Sequence, residues 1–253
     1  MSPPLRIRGL EYGGAQPLFC IPLVPPDLGS LSVQAGIAAA LKPDLIEWRA
    51  DFFRHQTPER LLEGASVLRG IAADAAIIFT LRAKNEGGAQ EIAPSARRQL
   101  IDSVLRSKTI DIVDLELANE PDSLAALMPV AHDCGVRVLL AIHDFERTPP
   151  NDVLTGHIRA MRRLGADIAK LAVMPRTEDD VLRLLDVTIR ARREFPSLPL
   201  CTMSMGRLGS VTRVAGFLYG SDMAFAVGME ASAPGQIPID DARRMTDLLL
   251  RYA

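Results

Sequence analysis

Lys170 stands alone among apolar residues in the segment IAKLAV. A lysine is rarely buried without a function or a charged partner. Burial disfavours the ammonium form, so a buried amine can lose its proton near neutral pH and attack a ketone. Neighbouring arginines are expected to favour the neutral amine as well. The resulting iminium is an electron sink when the adjacent carbon loses a proton. Lys170 is therefore a candidate for Schiff-base chemistry, with a structural lysine paired to an acid as the alternative.

His143 lies at the end of the apolar segment VRVLLAIHD, and Arg82 ends AAIIFTLR. Together with Lys170, each is expected near the C-terminal end of its own strand, the rim where catalysis occurs in a barrel. A histidine titrates near neutral pH, so it can take a proton from carbon and hand it to a leaving hydroxyl. An arginine grips a carboxylate with two parallel hydrogen bonds. These residues indicate a small keto or aldehyde acid as substrate, and they do not separate aldol cleavage from dehydration. A purely structural histidine is the alternative for His143.

Charged and apolar side chains alternate along the segment DLIEWRAD. Because strand side chains alternate between two faces, Glu47, Arg49 and Asp51 share one face. Ile46 and Trp48 share the other, which should pack on helices. The segment DIVDLELA repeats the pattern. Burying so many ionisable groups is expensive for stability alone, so the pattern indicates either a polar site or an internal ion network.

These segments belong to a set of eight, each of strand length and rich in Val, Ile, Leu or Ala. They recur roughly every 30 residues, the spacing of a strand, a helix and two loops. In chain order they are LFCIPLV, DLIEWRAD, AAIIFTLR, DIVDLELA, VRVLLAIHD, DIAKLAVMP, LPLCTMSM and DMAFAVGM.

Helical patterns lie between the strand segments. SARRQLIDSVLRSK and TEDDVLRLLDVTIRARREF repeat apolar residues at intervals of three and four, and Thr177 is the predicted N-cap of the second. Eight alternations in 253 residues predict an α/β fold in which residues 1–253 form a single (β/α)8 TIM barrel. The first dozen residues are predicted to add a β-hairpin. A doubly wound open sheet is the alternative.

Composition restricts the partners and the location. The net charge is −2, so no strong field favours nucleic acid or a membrane, and we expect a small-molecule substrate. The start MSPPLRIRGL lacks the apolar run of a signal peptide, and no stretch is long enough to span a bilayer. These features predict a cytoplasmic protein.

Metal and cofactor motifs are missing from the sequence. The four histidines show neither HxH nor HExxH spacing, and the three cysteines are far apart. No GxGxxG, P-loop or GxSxG motif occurs. We therefore expect no metal site and no cofactor.

Six segments together resemble the type I 3-dehydroquinate dehydratases. They are EWRAD (47–51), FTLRAKNEGG (79–88), HDFERTP (143–149), GADIAKLAVMP (165–175), TMSMGRLGSVTRVAG (202–216) and SAPGQ (232–236). The resemblance implies a barrel that converts 3-dehydroquinate to 3-dehydroshikimate by syn elimination of water, in the shikimate pathway to aromatic amino acids.

The resemblance also implies residue roles. Lys170 forms the imine with the substrate ketone, His143 moves the proton, and Glu86 orients His143 and supports its charged form. Arg213 should bind the substrate carboxylate. Eight further residues complete the predicted site, with polar contacts from Glu47, Arg49 and Arg82, apolar walls from Met203, Met205 and Phe225, and a closing loop that carries Ser232 and Gln236.

Two positions depart from the family pattern. Some members end the first strand with a serine near the substrate, where this chain has Pro22, and Ala224 stands where a threonine is common. Neither change removes a catalytic group.

Two other functions stay open. One is another lysine-dependent barrel aldolase, such as a transaldolase or deoxyribose-phosphate aldolase. The other is a non-catalytic metabolite sensor like related domains of fungal quinate repressors. The oligomeric state is also open, with a homodimer among the alternatives.

Overall fold

Eight parallel strands surround a common axis in the computed structural model, which describes residues 5–14, 16–118, 121–229 and 232–252. An antiparallel hairpin of β1 (Arg6–Ile7) and β2 (Leu10–Glu11) precedes them. The barrel strands are β3 (Leu18–Leu23), β4 (Leu45–Arg49), β5 (Ala76–Thr80), β6 (Ile112–Glu116), β7 (Arg137–Asp144), β8 (Ile168–Val173), β9 (Leu200–Ser204) and β10 (Met223–Phe225).

The strands follow chain order around the sheet from β3 to β9, and β10 pairs in parallel with β3. Each of the eight predicted segments contains one of these strands. The last strand returns to the first, so the predicted TIM barrel and its N-terminal hairpin are confirmed. The alternative of a doubly wound open sheet is wrong.

Helices cover the outside of the barrel. They are α1 (Leu28–Ala40), α2 (Pro58–Ile71), α3 (Pro94–Ser107), α4 (Pro121–Asp133), α5 (Asn151–Leu164), α6 (Glu178–Glu194), α7 (Val211–Ala215) and α8 (Ile239–Tyr252), with 3-10 helices at Ala50–Phe52, Lys84–Glu86 and Gly216–Tyr219. Thr177 is the N-cap of α6, as predicted, and its backbone N–H donates to the Asp180 carboxylate. Among the described helices, none combines the length and apolar character that a membrane span requires.

Side chains at alternating strand positions pack into two separate apolar cores. The outer core lies between strands and helices and contains Ile46 and Trp48, as the alternation predicts. The inner core contains Leu45, Ile112 and Ile168, which begin their strands. These residues form an apolar plug at the N-terminal end of the barrel, and Glu47, Asp114 and Lys170 follow two positions later along the same strands.

Four aspartates fix the N-terminal ends of alternate strands. Each directly precedes its strand, and its carboxylate accepts a backbone N–H from the preceding strand or the residue at its start, at 2.7 to 2.8 Å. These aspartates are Asp44, Asp111, Asp167 and Asp222, which precede β4, β6, β8 and β10. The bonds hold the register of neighbouring strands, so they also set the heights of the residues at the opposite end.

The edge between β9 and β10 is closed by local hydrogen bonds. The Asp222 N–H donates to the Leu200 carbonyl, and the Leu200 N–H donates to the Asp222 carboxylate, each at 2.7 Å. The Thr202 N–H donates to Ser221 Oγ at 3.0 Å. Side chains therefore complete the barrel where the strand ladder ends.

Gly64 on α2 tests how tightly the outer core is packed. A Cβ there would lie 2.6 Å from Trp48 Cη2. We expect Gly64→Ala to lower the free energy of unfolding by about 1 to 3 kcal/mol through overpacking. Gly36→Ala on α1 is the control, because nothing lies within 4 Å of its added Cβ, and it should stabilise the helix by about 0.5 to 1 kcal/mol. Urea unfolding measures both, and equal changes would contradict the packing argument.

Candidate active site

A cavity at the C-terminal end of the barrel collects the predicted site residues. Its walls contain all twelve of them: Glu47, Arg49, Arg82, Glu86, His143, Lys170, Met203, Met205, Arg213, Phe225, Ser232 and Gln236. Gly87, Phe145, Ala172 and Ala233 also line it. A larger cavity, of about 400 Å³ against about 120 Å³, lies on the other side of Arg82. Neither Lys170 nor His143 lines the larger cavity, so the candidate active site is the smaller one.

Lys170 lies deeper than its sequence position suggested. It is the third of six residues in β8, level with Ala141, whereas His143 pairs with Ala172 one inward layer above. The expectation that Lys170 sits near the strand end is therefore wrong. Its long side chain brings Nζ 4.3 Å from the centre of the Phe225 ring, in the wall of the cavity.

The charged partners of Lys170 are carboxylates. Nζ lies 3.0 Å from Asp114 Oδ2 and 3.9 Å from Glu47 Oε1. Thr80 Oγ1 donates to the same Glu47 oxygen at 2.8 Å. We expected neighbouring arginines to favour the neutral amine, but Arg82 reaches the lysine only through the carboxylate of Asp114, which both cations share.

Charges alternate outward from the lysine. Arg82 Nη2 lies 2.8 Å from Asp114, and Arg82 Nη1 lies 2.9 Å from Glu116, whose other oxygen pairs with Arg97. Burial opposes the ionisation of Asp114, but Arg82 and Lys170 outweigh it and hold the pKa of Asp114 below its usual range. Burial likewise opposes the charge on Arg82, and Asp114 and Glu116 outweigh it and raise the Arg82 pKa. The row of opposite charges holds each member in place.

His143 and Glu86 form a hydrogen-bonded pair at the mouth. Glu86 Oε2 lies 3.0 Å from His143 Nδ1 and accepts the His143 backbone N–H at 3.0 Å. Because this carboxyl oxygen acts as an acceptor toward the backbone N–H, the tautomer with its proton on Nδ1 donates a second hydrogen bond to it and is favoured. Nε2 is then the nitrogen with a free lone pair.

Burial shifts both members of this pair toward their uncharged forms. Burial lowers the pKa of His143 well below its usual range, and the nearby Arg82 and Lys170 add to the effect. Burial raises the pKa of Glu86 to about 7, against the opposing influence of Arg82. The imidazole is therefore available as a base at neutral pH.

Phe145 covers the histidine and was missed as a site residue. Its ring stacks on His143 with centroids 6.4 Å apart, and it packs on Gly87. A Cβ at Gly87 would lie 2.6 Å from the Phe145 ring, and Gly87 has a φ of +86°, so glycine serves both the turn and the contact. The signal was present in the segment HDF, where the aromatic ring follows two residues after the histidine.

Asp51 does not share the inward face of β4. The strand ends at Arg49, and Asp51 lies in the 3-10 helix Ala50–Phe52, where its carboxylate binds the Arg49 guanidinium. The predicted alternation fails there because the backbone leaves the extended conformation. Arg49 itself lines the cavity, as expected.

Arg213 brings a buried guanidinium to the cavity, and no carboxylate of the described residues pairs with it. Its Nη1 donates to the Phe225 carbonyl at 3.3 Å and its Nη2 to the Pro234 carbonyl at 3.0 Å. Its buried Nε has no hydrogen-bond partner among the described residues. Burial lowers the pKa of Arg213 to about 10. An anion in the cavity would supply the missing countercharge.

The predicted closing loop lies over the cavity. Gln236 binds Ser232 through two hydrogen bonds, one to its backbone N–H at 2.9 Å and one to its hydroxyl at 3.2 Å. The Gly206 N–H donates to the Pro234 carbonyl, which Arg213 also binds. The loop is thus tied to both the end of β9 and the buried guanidinium.

The two departures from the family pattern do not alter the cavity walls. Pro22 lines a separate small cavity with Ile21 and Leu23, and Ala224 belongs to the outer core. Within the described ranges, no group of three or more His, Cys, Asp or Glu side chains is arranged to hold a metal ion.

A family model described as type I 3-dehydroquinase matches residues 19–252. This chain belongs to the type I 3-dehydroquinase family. The prediction of a type I 3-dehydroquinate dehydratase, an enzyme of the hydro-lyase class, is thereby confirmed. The family match favours this enzyme over the two alternatives, a barrel aldolase and a non-catalytic sensor.

Sequence relatives agree over nearly the whole chain. The 3-dehydroquinate dehydratase of Geobacillus kaustophilus (strain HTA426) is 44% identical over 251 residues, which covers 98% of this chain and 97% of that protein. The 3-dehydroquinate dehydratase of Klebsiella pneumoniae (strain 342) is 36% identical over 250 residues and is covered over 100% of its length.

Solved structures agree with the fold. The crystal structure of 3-dehydroquinate dehydratase from G. kaustophilus HTA426 has a TM-score of 0.96 at 43% identity and covers 99% of this chain and 97% of that one. Type I 3-dehydroquinate dehydratase from Clostridium difficile has a TM-score of 0.96 at 30% identity and covers 100% of both chains.

Glu86 should make stability depend on pH. Because its folded pKa is raised to about 7 from 4.5, its contribution to stability is complete below pH 4.5 and is lost as pH rises through about 7. Glu86→Gln removes this titration. As pH rises over that range, the free energy of unfolding of the variant should therefore increase relative to wild type by up to about 3 kcal/mol. Exposed Glu91→Gln is the control and should follow wild type. Urea unfolding at about pH 5 and about pH 7.5 measures this, and a constant difference would contradict it.

Proposed function

We propose that this chain removes water from 3-dehydroquinate through a Schiff base on Lys170, giving 3-dehydroshikimate as a step of the shikimate pathway. The observation that carries the proposal is an amine on β8 and a hydrogen-bonded imidazole on β7 in the walls of one cavity. A ring attached to Lys170 would have the carbon next to the imine within reach of His143, because these two strands are neighbours.

The proposed reaction begins when Nζ of Lys170 attacks the ketone carbon and water leaves to give an iminium. His143 takes a proton from the adjacent carbon, and the electron pair forms an enamine. The enamine expels the hydroxyl one carbon further on, with a proton from His143, as water. Hydrolysis of the iminium releases the product and restores the amine. Imine formation releases a water and hydrolysis consumes one, so the net change is the loss of one water.

Asp114 supports the cationic intermediate in this scheme. Its carboxylate lies 3.0 Å from Nζ in the free enzyme and would remain beside the iminium nitrogen. A fixed negative charge in a buried site stabilises a developing positive charge without reorganisation. Glu86 holds the Nδ1 proton of His143, so that Nε2 both takes and returns the substrate proton.

The substrate carboxylate is assigned to Arg213 because its buried guanidinium has no carboxylate partner among the described residues. Gln236 and Ser232 close the loop above and keep water from the imine. Six residues supply the remaining contacts in the proposal: Glu47, Arg49 and Arg82 for the hydroxyls and carboxylate, and Met203, Met205 and Phe225 for the apolar walls.

A relative supports a covalent step. The solved structure of the C. difficile enzyme contains covalently modified comenic acid. A covalent adduct in a relative that shares the whole fold agrees with a nucleophile in this cavity. The small-molecule substrate is part of the proposal. The absence of nucleic-acid and membrane partners and the cytoplasmic location stay predictions, and the oligomeric state stays open, with a homodimer among the alternatives.

Borohydride trapping tests the nucleophile. With 3-dehydroquinate present, borohydride should fix one ligand mass on Lys170, and Lys170→Met should give no adduct. His143→Ala should still be trapped but turn over at least about a hundredfold more slowly, since it loses only the general acid and base. Peptide mass spectrometry locates the adduct, and an adduct on a different lysine would disprove the proposed nucleophile.

Arg213→Lys tests the carboxylate site. Lysine keeps the charge but loses the planar fork, so KM should rise by a factor that corresponds to about 1.5 to 3 kcal/mol. Arg207→Lys is the matched control, because Arg207 is exposed in the same loop region and does not line the cavity. Steady-state kinetics measure both, and an unchanged KM in Arg213→Lys would return Arg213 to a structural role.

A further inference from the structure

Asp51 is fully buried beside the cavity but does not line it. Both of its oxygens bind Arg49, with Oδ1 accepting from Nε and Oδ2 from Nη2, each at 2.8 Å. This bidentate pair fixes the plane of the guanidinium and not only its charge. Arg49 therefore has one orientation in the cavity wall.

The same carboxylate also holds the segment that follows Glu86. Asp51 Oδ2 accepts the Ala89 N–H at 3.0 Å, and Arg49 Nη2 donates to the Gly87 carbonyl at 3.2 Å. The Asp51 carbonyl accepts from Gln90 Nε2 at 3.0 Å. Positions 87, 89 and 90 are thus tied to Arg49 at the end of β4 and to Asp51 just after it.

The segment of residues 87–90 has no secondary structure of its own that would hold Glu86 in place. It has no regular secondary structure beyond the 3-10 helix Lys84–Glu86. A Cβ at Gly88 would lie 2.2 Å from the Arg82 carbonyl, which shows how closely the chain folds back. A displacement of residues 87–90 would carry the Glu86 carboxylate away from His143 Nδ1, to which it is bound at 3.0 Å.

We propose that Asp51 is a positioning residue that acts through Arg49 and residues 87–90 to hold Glu86 against His143. The inference rests on the proposed roles of Glu86 and His143. Asp51 contacts neither, so any effect of Asp51 on the proton transfer must pass through Arg49 and residues 87–90. If Asp51 only neutralised Arg49, its loss would affect substrate binding and stability but not the proton transfer.

A double-mutant cycle tests this path. Asp51→Asn keeps the side-chain volume but presents an NH2 donor to the Arg49 guanidinium and the Ala89 N–H, which are themselves donors. We expect it to lower kcat about 10- to 100-fold, the loss that a misplaced catalytic group causes. In a Glu86→Gln background the same change should lower kcat less than about threefold. Gln90→Ala, which cuts the second tie without touching a charge, should show a smaller loss of kcat that also disappears in that background.

Asp222→Asn is the matched control, because Asp222 is also a buried aspartate that binds an arginine, Arg192, and a backbone N–H, at the opposite end of the barrel. It should lower the melting temperature and leave kcat within about twofold of wild type. The inference about Asp51 would be overturned if Asp51→Asn and Gln90→Ala kept wild-type kcat. It would also be overturned if each change lowered kcat as much in the Glu86→Gln background as in wild type. Neither outcome would affect the proposed function. Wild-type kcat in Glu86→Gln would instead overturn the proposed role of Glu86, and the inference with it.

Discussion

The ion pair between Lys170 and Asp114 is the interaction on which the arrangement of the site depends. Both side chains are buried, and their charged atoms lie 3.0 Å apart. Removing Asp114 would take from both Lys170 and Arg82 the carboxylate that they share in a low-dielectric interior, which is strongly destabilising. Arg82 shares the same carboxylate oxygen at 2.8 Å, so the position of the amine is coupled to the whole row of charges behind it. The polar mouth is therefore organised before a ligand arrives.

The barrel supplies the frame for these charges. Aspartates at the N-terminal ends of alternate strands bind neighbouring backbone N–H groups and hold the register. An apolar plug fills the barrel above them. The hairpin adds Ile7 and Tyr12 to this plug. The aspartates that fix the register thus lie at one end of the barrel, and the site residues line a cavity at the other.

Desolvation gives the site its chemical character. Burial lowers the pKa of His143 and raises that of Glu86, which favours an uncharged pair with a basic Nε2. Burial also lowers the pKa of Arg213, whose hydrogen-bond partners are carbonyl groups and a sulfur atom. Within the part of the chain that the structure describes, this cation has no anionic partner, and a substrate that brings a carboxylate would balance its charge.

Local patterns in the sequence were sufficient for the barrel, because strand length, helix spacing and the alternation of side chains act over neighbouring residues. They placed Trp48 outside and Glu47 inside, and the family resemblance brought Lys170 and His143 to one cavity. The depth of Lys170, the turn that moves Asp51 off the strand face and the cover formed by Phe145 were not predicted. Lys170 and Asp114 are 56 positions apart in the chain, and His143 and Glu86 are 57 apart. Distances between such residues depend on strand register and packing around the closed barrel, which only the tertiary structure determines.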